Sequence, residues 1–519
     1  MVSSTVIDAI ASPYDAINDI FRALPSQDKV SEFPLHVSRY FSSVLENSMD
    51  QIPLLDTTSN SYRSGSLIRF KGMIQDTSCS PEVYMSSFNE TLPGGWGIEN
   101  ISHTEHAELR LDHTKLGERD VVWAVSIPGE TQWCKPPHNN TSIGEALTIS
   151  DSPFNKPHKF PFPDTRHIAL QLKIYSSAGL LKPASVHDFV GIFTFDHAHS
   201  EFQAESLIPT LHVLFYYPIP KTLLPNPLST FPNSQAMTIR ESIITWLSNE
   251  ALGCDRNAAE WILLSCLSSM ESREPPLFPM SIVLSRFPRE TGIPTLKYLL
   301  EAILPLFHFL PLSLSFLNEQ KFQPESIDED LHSAIFQVPS SSTFLITEAG
   351  IEEGNLTAKG TENARAIQEV AKSQNLRYKF PFNEYSFPTD ITLITLTDGK
   401  ESLFLKSEIH VPLKSSPSDL YRNKDSIEWP PEEILNKFRD YILRGKNIQR
   451  PNVDASVSTH IKNEFVSERQ KNSSYSPDDL IFLMTIAKNI AISKLEHEMT
   501  LDSWVSAKAL YTQRKTGSN

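Results

Sequence analysis

The residues best placed to do chemistry follow a short apolar run, Ile282–Ser285, where a nucleotide-binding chain would carry its phosphate loop. Such a loop, G-x-x-x-x-G-K-[ST], works because glycines let backbone N–H groups approach phosphate, a lysine neutralises it and a hydroxyl holds magnesium. Here the run continues as RFPRETGIPTLKYLLEAILP. Arg286 and Arg289 stand where bare backbone should pass, and no Lys-Ser/Thr pair opens the helix that follows. A second strand, TFLITE, should end in an acid pair, but Thr347 occupies the place of the magnesium-holding Asp. Glu348 is left alone and reads as a solvated strand end. With neither cradle nor metal ligands, phosphoryl chemistry loses its positioning and its charge stabilisation. His103 and His106 do not form H-E-x-x-H, and Asp196, His197 and His199 lack a second motif, so both groups read as loop-end histidines. The four cysteines, Cys79, Cys134, Cys254 and Cys266, contain no C-x-x-C. Cys254 and Cys266 fall in an apolar, helix-like stretch and read as buried free thiols. No G-x-S-x-G, Cys/His nucleophile or EF-hand signature is present. The expectation is therefore no catalytic residue, no cofactor, no metal and no small-molecule substrate.

Composition agrees. The chain has 519 residues, enough for about three units at roughly 100–200 residues each. Its 46 Lys+Arg against 62 Asp+Glu leave a net charge of −16. That balance disfavours a protein whose main task is gripping phosphate backbones. Glycine, at 18 residues, is about half its usual ~7% share, which disfavours phosphate-cradling loops. The N-terminus lacks a basic n-region followed by an apolar h-region, so no signal peptide is expected. The longest apolar stretch, Tyr298–Leu317, is interrupted by Glu301, Pro305, His308 and Pro311, and reads as buried core rather than a membrane span.

These residues must be positioned by several units. Residues 1–60 read as amphipathic helices, with Ile17, Ile20, Phe21 and Leu24, then Phe33, Val37, Phe41 and Leu45, at helical spacing. From Leu67 the period changes to two, and five strands follow through residue 217. Gly72 and Gly191 mark a bend or bulge in two of them. Residues 61–220 are thus expected to form an OB-like β-barrel, interrupted by a Pro/Ser/Asn-rich loop at 135–163. Residues 62–220 hold 12 Lys/Arg against 17 Asp/Glu, a net −5, and Phe70, Trp123, Phe189, Phe193 and Phe195 read as core rather than base platforms. A Pro-rich linker at 221–235 leads into an α/β region at 236–411, in which PLSLSFLNEQKF (311–322) reads as a strand. A charged linker at 412–431 precedes a helical lid at 432–519, expected to contain only helices. The order of helices and strands over 236–519 is that of an AAA+ ATPase module whose phosphate loop has degenerated. Arg286 or Arg289 is expected to fill the phosphate space.

With both units in view, the runs RFKGMIQD (69–76), PEVYM (81–85), VSIPGETQW (125–133) and VHDFVGIF (186–193) resemble the mini-chromosome maintenance (MCM) complex-binding protein family. ALGCDRNAAEWILLSCLSS (251–269), IFQVPSSSTFLITEAGIEEGNL (335–356) and WVSAKALYTQRK (504–515) are similar in kind and order. The resemblance spans nearly the whole chain. It implies likeness to the MCM helicase subunits, whose phosphate loop GDPGTAKSQLLKY can be laid on Arg286–Tyr298. Pro288 and Leu296-Lys297-Tyr298 are kept, the glycines become Arg286 and Arg289, and the Lys and Ser fall on Gly292 and Ile293. The resemblance implies a non-catalytic nuclear partner of MCM subunits in DNA replication, with the cytoplasm as a second compartment and chromatin association indirect. It further implies release or stabilisation of MCM complexes and support of sister-chromatid cohesion. Animal members carry a longer charged insertion after the IPGETQW run. Residues 134–163 are short here and hold no basic cluster.

Overall fold

The computed structural model describes residues 4–25, 32–56, 62–88, 92–98, 115–135, 154–176, 181–197, 207–224, 228–274, 276–290, 292–407, 409–414, 420–448, 451–471 and 476–517. His103, His106 and His199, and residues 136–153 of the expected loop, lie outside them. The described chain is mixed α/β, with N-terminal helices and several sheets.

Three helices open it: α1 (Ser4–Ala11), α2 (Pro13–Ala23) and α3 (Phe33–Leu45). Proline at the first position of α2 forfeits no helical hydrogen bond, and Ile17 and Phe21 form its buried stripe. In α3, Phe33, Val37, Phe41 and Leu45 recur every fourth residue and are all buried. Both stripes pack with Val190 and Leu214 of the following sheet and with Trp96 and Tyr175 from the turns beside it.

That sheet has six strands: β1 (Leu67–Asp76), β2 (Glu82–Met85), β3 (Leu116–Ser126), β4 (Ala169–Ile174), β5 (Val186–His197) and β6 (Leu207–Pro218). Its order is β1-β5-β6-β4-β3-β2, with a further β1–β3 pairing, so five strands hydrogen-bond in a cycle. All contacts in the cycle are antiparallel except β4 with β6. Gly191 sits at a register shift between β5 and β6, where a Cβ would meet the His212 carbonyl oxygen at 2.4 Å.

Two helices, α4 (Ala236–Ala251) and α5 (Arg256–Leu267), lead into the second half. They are separated by Gly253 and Cys254, both at positive φ, and Asp255 caps α5 by accepting the Ala258 N–H. Cys266 is buried as expected, but Cys254 is exposed because it lies in this turn rather than on an apolar helix face. A five-stranded parallel sheet follows: β7 (Ile282–Ser285), β8 (Phe307–Pro311), β11 (Ser342–Thr347), β14 (Ile391–Leu396) and β15 (Ile409–Pro412). Its spatial order is β15-β7-β14-β11-β8. The crossovers carry α6 (Thr295–Ile303), α7 (Leu314–Glu319) and α8 (Ala358–Ser373), which cover the sheet as parallel strands require.

Two hairpins, β9 (Glu325–Ile327) with β10 (Asp330–His332) and β12 (Asn375–Lys379) with β13 (Glu384–Pro388), form a second small sheet. The stretch 311–322 is not a strand. The strand ends at Pro311, and Ser313 then caps α7 by accepting the Phe316 N–H at 3.1 Å. After residue 431 come α9 (Glu432–Asn447), α10 (Ala455–Lys471), α11 (Pro477–Ser493) and α12 (Leu501–Gly517). The expectation of helices alone fails by two residue pairs, since Asn452–Val453 and Glu498–Met499 make a short parallel bridge.

Candidate functional site

In open parallel sheets, ligands sit beyond the carboxyl ends of the strands, where the strand order reverses. That position here lies past Ser285, Leu396 and Thr347, and it contains the residues singled out above. All four residues of β7 are buried, and the chain leaves it through Arg286 at φ +58°. A non-glycine residue tolerates this conformation only when its surroundings hold it there. Two backbone bonds do so: the Arg286 N–H donates to Gly399 O at 3.1 Å and the Phe287 N–H to Thr397 O at 2.9 Å. These two bonds tie the exit of β7 to residues 397–399 of the loop after β14.

The helix that follows is closed in the same way. A free helix N-terminus attracts anions through its unpaired N–H groups. Here the Thr295 N–H donates to Leu420 O at 2.8 Å, and the Thr295 hydroxyl accepts the Arg422 N–H at 2.8 Å. Tyr421 lies between them in sequence, donates its hydroxyl to Pro288 O at 2.8 Å and meets the buried Phe287 ring edge-on at 5.7 Å. Arg422 is itself tied to the Glu250 carboxylate at 2.6 Å. Leu420, Tyr421 and Arg422 thus pack against the start of α6 and the exit of β7, and Tyr421, rather than Arg286 or Arg289, is the residue in contact with Phe287 and Pro288 there. Arg286 is exposed. Arg289 reaches away and donates to Ala349 O at 2.8 Å and Ile351 O at 2.5 Å. Gly292 and Ile293 are exposed at the rim.

The end of β11 differs from the expectation. Glu348 is 5% exposed, not solvated. Its carboxylate accepts the Ser402 hydroxyl at 2.5 Å and the Leu403 N–H at 3.1 Å, so the turn at 402–404 supplies what water would have. The Thr347 hydroxyl accepts the Ala349 N–H at 3.3 Å. Both side chains hold their own loops in place.

A second constellation joins the two halves, and sequence reasoning missed it. Gln75 at the end of β1 donates to Leu331 O at 3.0 Å, while Gln337 donates to Gln75 O at 2.7 Å and to the Tyr378 hydroxyl at 3.2 Å. Lys159, with no exposed side-chain surface, donates to Asp76 at 3.2 Å and Leu331 O at 3.1 Å and pairs with Asp330. Its ammonium also lies 5.0 Å from the Trp123 ring centroid. Burial would raise the Asp330 carboxyl, but hydrogen bonds and charge from His158 and Lys159 outweigh it and hold it down at about 2. Nearby, the Thr131 hydroxyl donates to Leu304 O at 2.8 Å and the Phe307 N–H to Gly129 O at 2.9 Å. Gln75 and Asp76 close the RFKGMIQD run, and Gly129 and Thr131 belong to VSIPGETQW. A lysine in a Pro-rich segment was the one available signal, and nothing local marks it as buried.

Three cations of the β cycle are equally committed. Arg69 pairs with Asp188 at 2.5 Å, Arg119 with Glu82 at 3.0 Å, and Lys173 with Asp196 at 2.7 Å. Phe70, Phe189 and Phe193 are at most 1% exposed, as their reading as core requires. Among the described residues no cluster of His, Cys, Asp or Glu could hold a metal ion, and no helix is long and apolar enough to cross a membrane.

Fold and site together define a mixed α/β protein: a parallel α/β unit joined by buried polar contacts to a cyclic set of β-strands. The family model described as mini-chromosome maintenance replisome factor matches residues 41–156 and 145–517, and the chain belongs to that family. Relatives named mini-chromosome maintenance complex-binding protein include one from Arabidopsis thaliana, 24% identical over 99% of this chain and 97% of its own length. One from Gallus gallus is 22% identical over 98% and 97%, and one from Homo sapiens 24% over 75% and 68%.

Proposed function

We propose that this protein is a non-catalytic partner of MCM helicase subunits in DNA replication, acting through protein–protein contacts and reaching chromatin only through them. The names of its relatives support the partner. The observation that carries the mechanism is the plugged crevice: the amide of Thr295 is bonded to Leu420 and those of Arg286 and Phe287 to residues 397–399. In this reading, residues 61–220 are an OB-type barrel, supported by the five-stranded cycle with its single parallel contact. Residues 236–411 with the helices of 432–519 are an AAA+-like, MCM-like module, supported by the sheet order β15-β7-β14-β11-β8. The positions Arg286, Arg289, Gly292, Ile293, Thr347 and Glu348 are its vestigial nucleotide site.

Helicase subunits assemble side by side around ring-shaped complexes. A chain with the same scaffold offers one compatible face yet cannot complete a nucleotide site, so it holds single subunits or partial rings and resists closure. That is the property needed to release or chaperone MCM complexes in the nucleus and, through replication, to support sister-chromatid cohesion. The test is binding of the full chain to purified MCM subunits, partial rings and closed hexamers. Preference for subunits and partial rings is expected, and equal or tighter binding of closed hexamers would sink the mimicry. The Gly292→Lys/Ile293→Ser variant should gain no ATP-dependent thermal shift, because the Thr295 amide stays bonded to Leu420 and no glycine returns at Arg286 or Arg289. Ligand at 100 times its Kd would add about 2.7 kcal/mol of apparent stability, so the readout is sensitive. Single-stranded DNA binding through the barrel is the second reading. Paired cations and buried aromatics disfavour it, and tight binding that survives physiological salt would restore it.

A further inference from the structure

Between the strand cycle and the parallel sheet lies a cavity of about 350 Å³, at the low end of the range for binding pockets. It is a built feature. One wall is the turn at Gly129, whose φ of +77° and approach to the His308 ring leave no room for a side chain. The adjacent bridge between Glu130 and Leu306 ties that turn to the parallel sheet. The other walls are aromatic: Phe70 from β1, Phe160 and Phe162 from the segment beyond residue 154, and Phe309 from β8. His308 stacks on Phe162 at 5.1 Å and on Phe344 at 4.5 Å, which fixes the wall it shares with them.

Charge sets this cavity apart. Lys71, Lys135 and Arg166 line it, and among the described residues none of the three forms an ion pair. Burial raises the Glu130 carboxyl on balance, although the charges of Lys135 and Lys71 act to lower it. The cations of the neighbouring strands and junction, Arg69, Arg119, Lys159 and Lys173, are all paired. Asp56 and Glu130 also line the cavity, so its cations outnumber its carboxylates. A chain of net charge −16 as a whole repels acidic segments, so a site with a surplus of cations stands out. This cavity combines three cations, in excess over its two carboxylates, with aromatic walls.

We propose that the cavity receives an acidic peptide segment of a protein partner, one aromatic side chain entering between the Phe walls and flanking carboxylates meeting Lys71, Lys135 and Arg166. Ring burial supplies affinity, and the charges supply orientation and selectivity. The inference rests on this lining alone and stands or falls separately from the MCM assignment.

The test uses the full chain and a fluorescein-labelled heptapeptide with four acidic residues around one phenylalanine, followed by anisotropy. The control peptide carries amides in place of the acids, and adenosine monophosphate serves as a competing anionic ring. The acidic peptide should bind at least about tenfold tighter than the control, with the advantage shrinking between about 50 and 500 mM salt. Lys71→Glu/Lys135→Glu should lose about tenfold in affinity at an unchanged melting temperature. Arg166→Glu, at an exposed position that folding tolerates, decides the matter if the double variant unfolds. Four outcomes overturn the proposal: no peptide binding at about 1 mM, equal binding of both peptides, unchanged affinity in the folded variants, or displacement by the nucleotide more readily than by unlabelled peptide.

Discussion

At the carboxyl edge of the parallel sheet, the groups that close the crevice are mostly backbone: the N–H groups of Arg286, Phe287 and Thr295 and the carbonyls of Gly399, Thr397 and Leu420. At the junction with the strand cycle they are side chains: Gln75, Gln337, Lys159, Asp76 and Asp330. The first kind of closure survives almost any substitution that preserves the chain path. The second depends on particular donors and acceptors, and in a low-dielectric interior each one left unpaired is costly. A single substitution should therefore barely disturb the crevice and severely disturb the junction.

The largest break in that contrast is Lys159→Met. It leaves the Asp76 side chain, 2% exposed, without its cation, and removal of one partner from a buried pair costs about 3–5 kcal/mol. Urea unfolding of the full chain measures it, and a loss under about 1 kcal/mol would show that water replaces the lysine.

Acid should act next, through His308. Burial pushes its imidazole down from 6.5 to about 3. A base whose folded value is depressed stabilises the fold fully above its unfolded value and loses that contribution as pH falls through the folded one. Stability should thus decline between pH 6.5 and about 3, by a few kcal/mol in all at about 1.4 per unit. His308→Phe, which keeps an aromatic ring on Phe162 and Phe344, should flatten that slope; an unchanged slope would assign it to other groups. Asp330, held down from 3.8 to about 2, loses its contribution over that lower window. With its side chain 41% exposed, it adds about 1 kcal/mol at most once solvent screening is counted.

A smaller effect is expected from Gln337→Leu, about 1–3 kcal/mol, because the Gln75 carbonyl and the Tyr378 hydroxyl lose their donor. The smallest belongs to the crevice. Tyr421→Phe removes one hydrogen bond to Pro288 and should cost about 1 kcal/mol, with no gain in ATP binding by thermal shift, because the Thr295–Leu420 backbone pair persists. A larger loss would mean that side chains hold the plug after all.

Much of the local structure was legible. The apolar spacing of Phe33, Val37, Phe41 and Leu45 predicts α3, and Ser476-Pro477-Asp478-Asp479 predicts the start of α11. There the Ser476 hydroxyl accepts the Asp479 N–H at 3.2 Å and the Asp479 carboxylate accepts the Ser476 N–H at 2.9 Å. The stretch 311–322 was misread because a short apolar run carries no decisive period, and the cap at Ser313 outweighed its alternation. Glu348 was misread because exposure is a property of what packs above a residue. The residues that cover it lie some fifty positions further on.

By itself the sequence determined the periods, the caps and the loss of glycine, lysine and hydroxyl from the phosphate loop, since each depends on side chains within a turn or two of one another. Tertiary structure decided what took their place. Leu420 reaches Thr295 across more than a hundred residues, and Gln75 meets Gln337 across 262. A backbone N–H donates to any carbonyl of suitable geometry, so its own neighbours in sequence carry no record of which one the fold will bring.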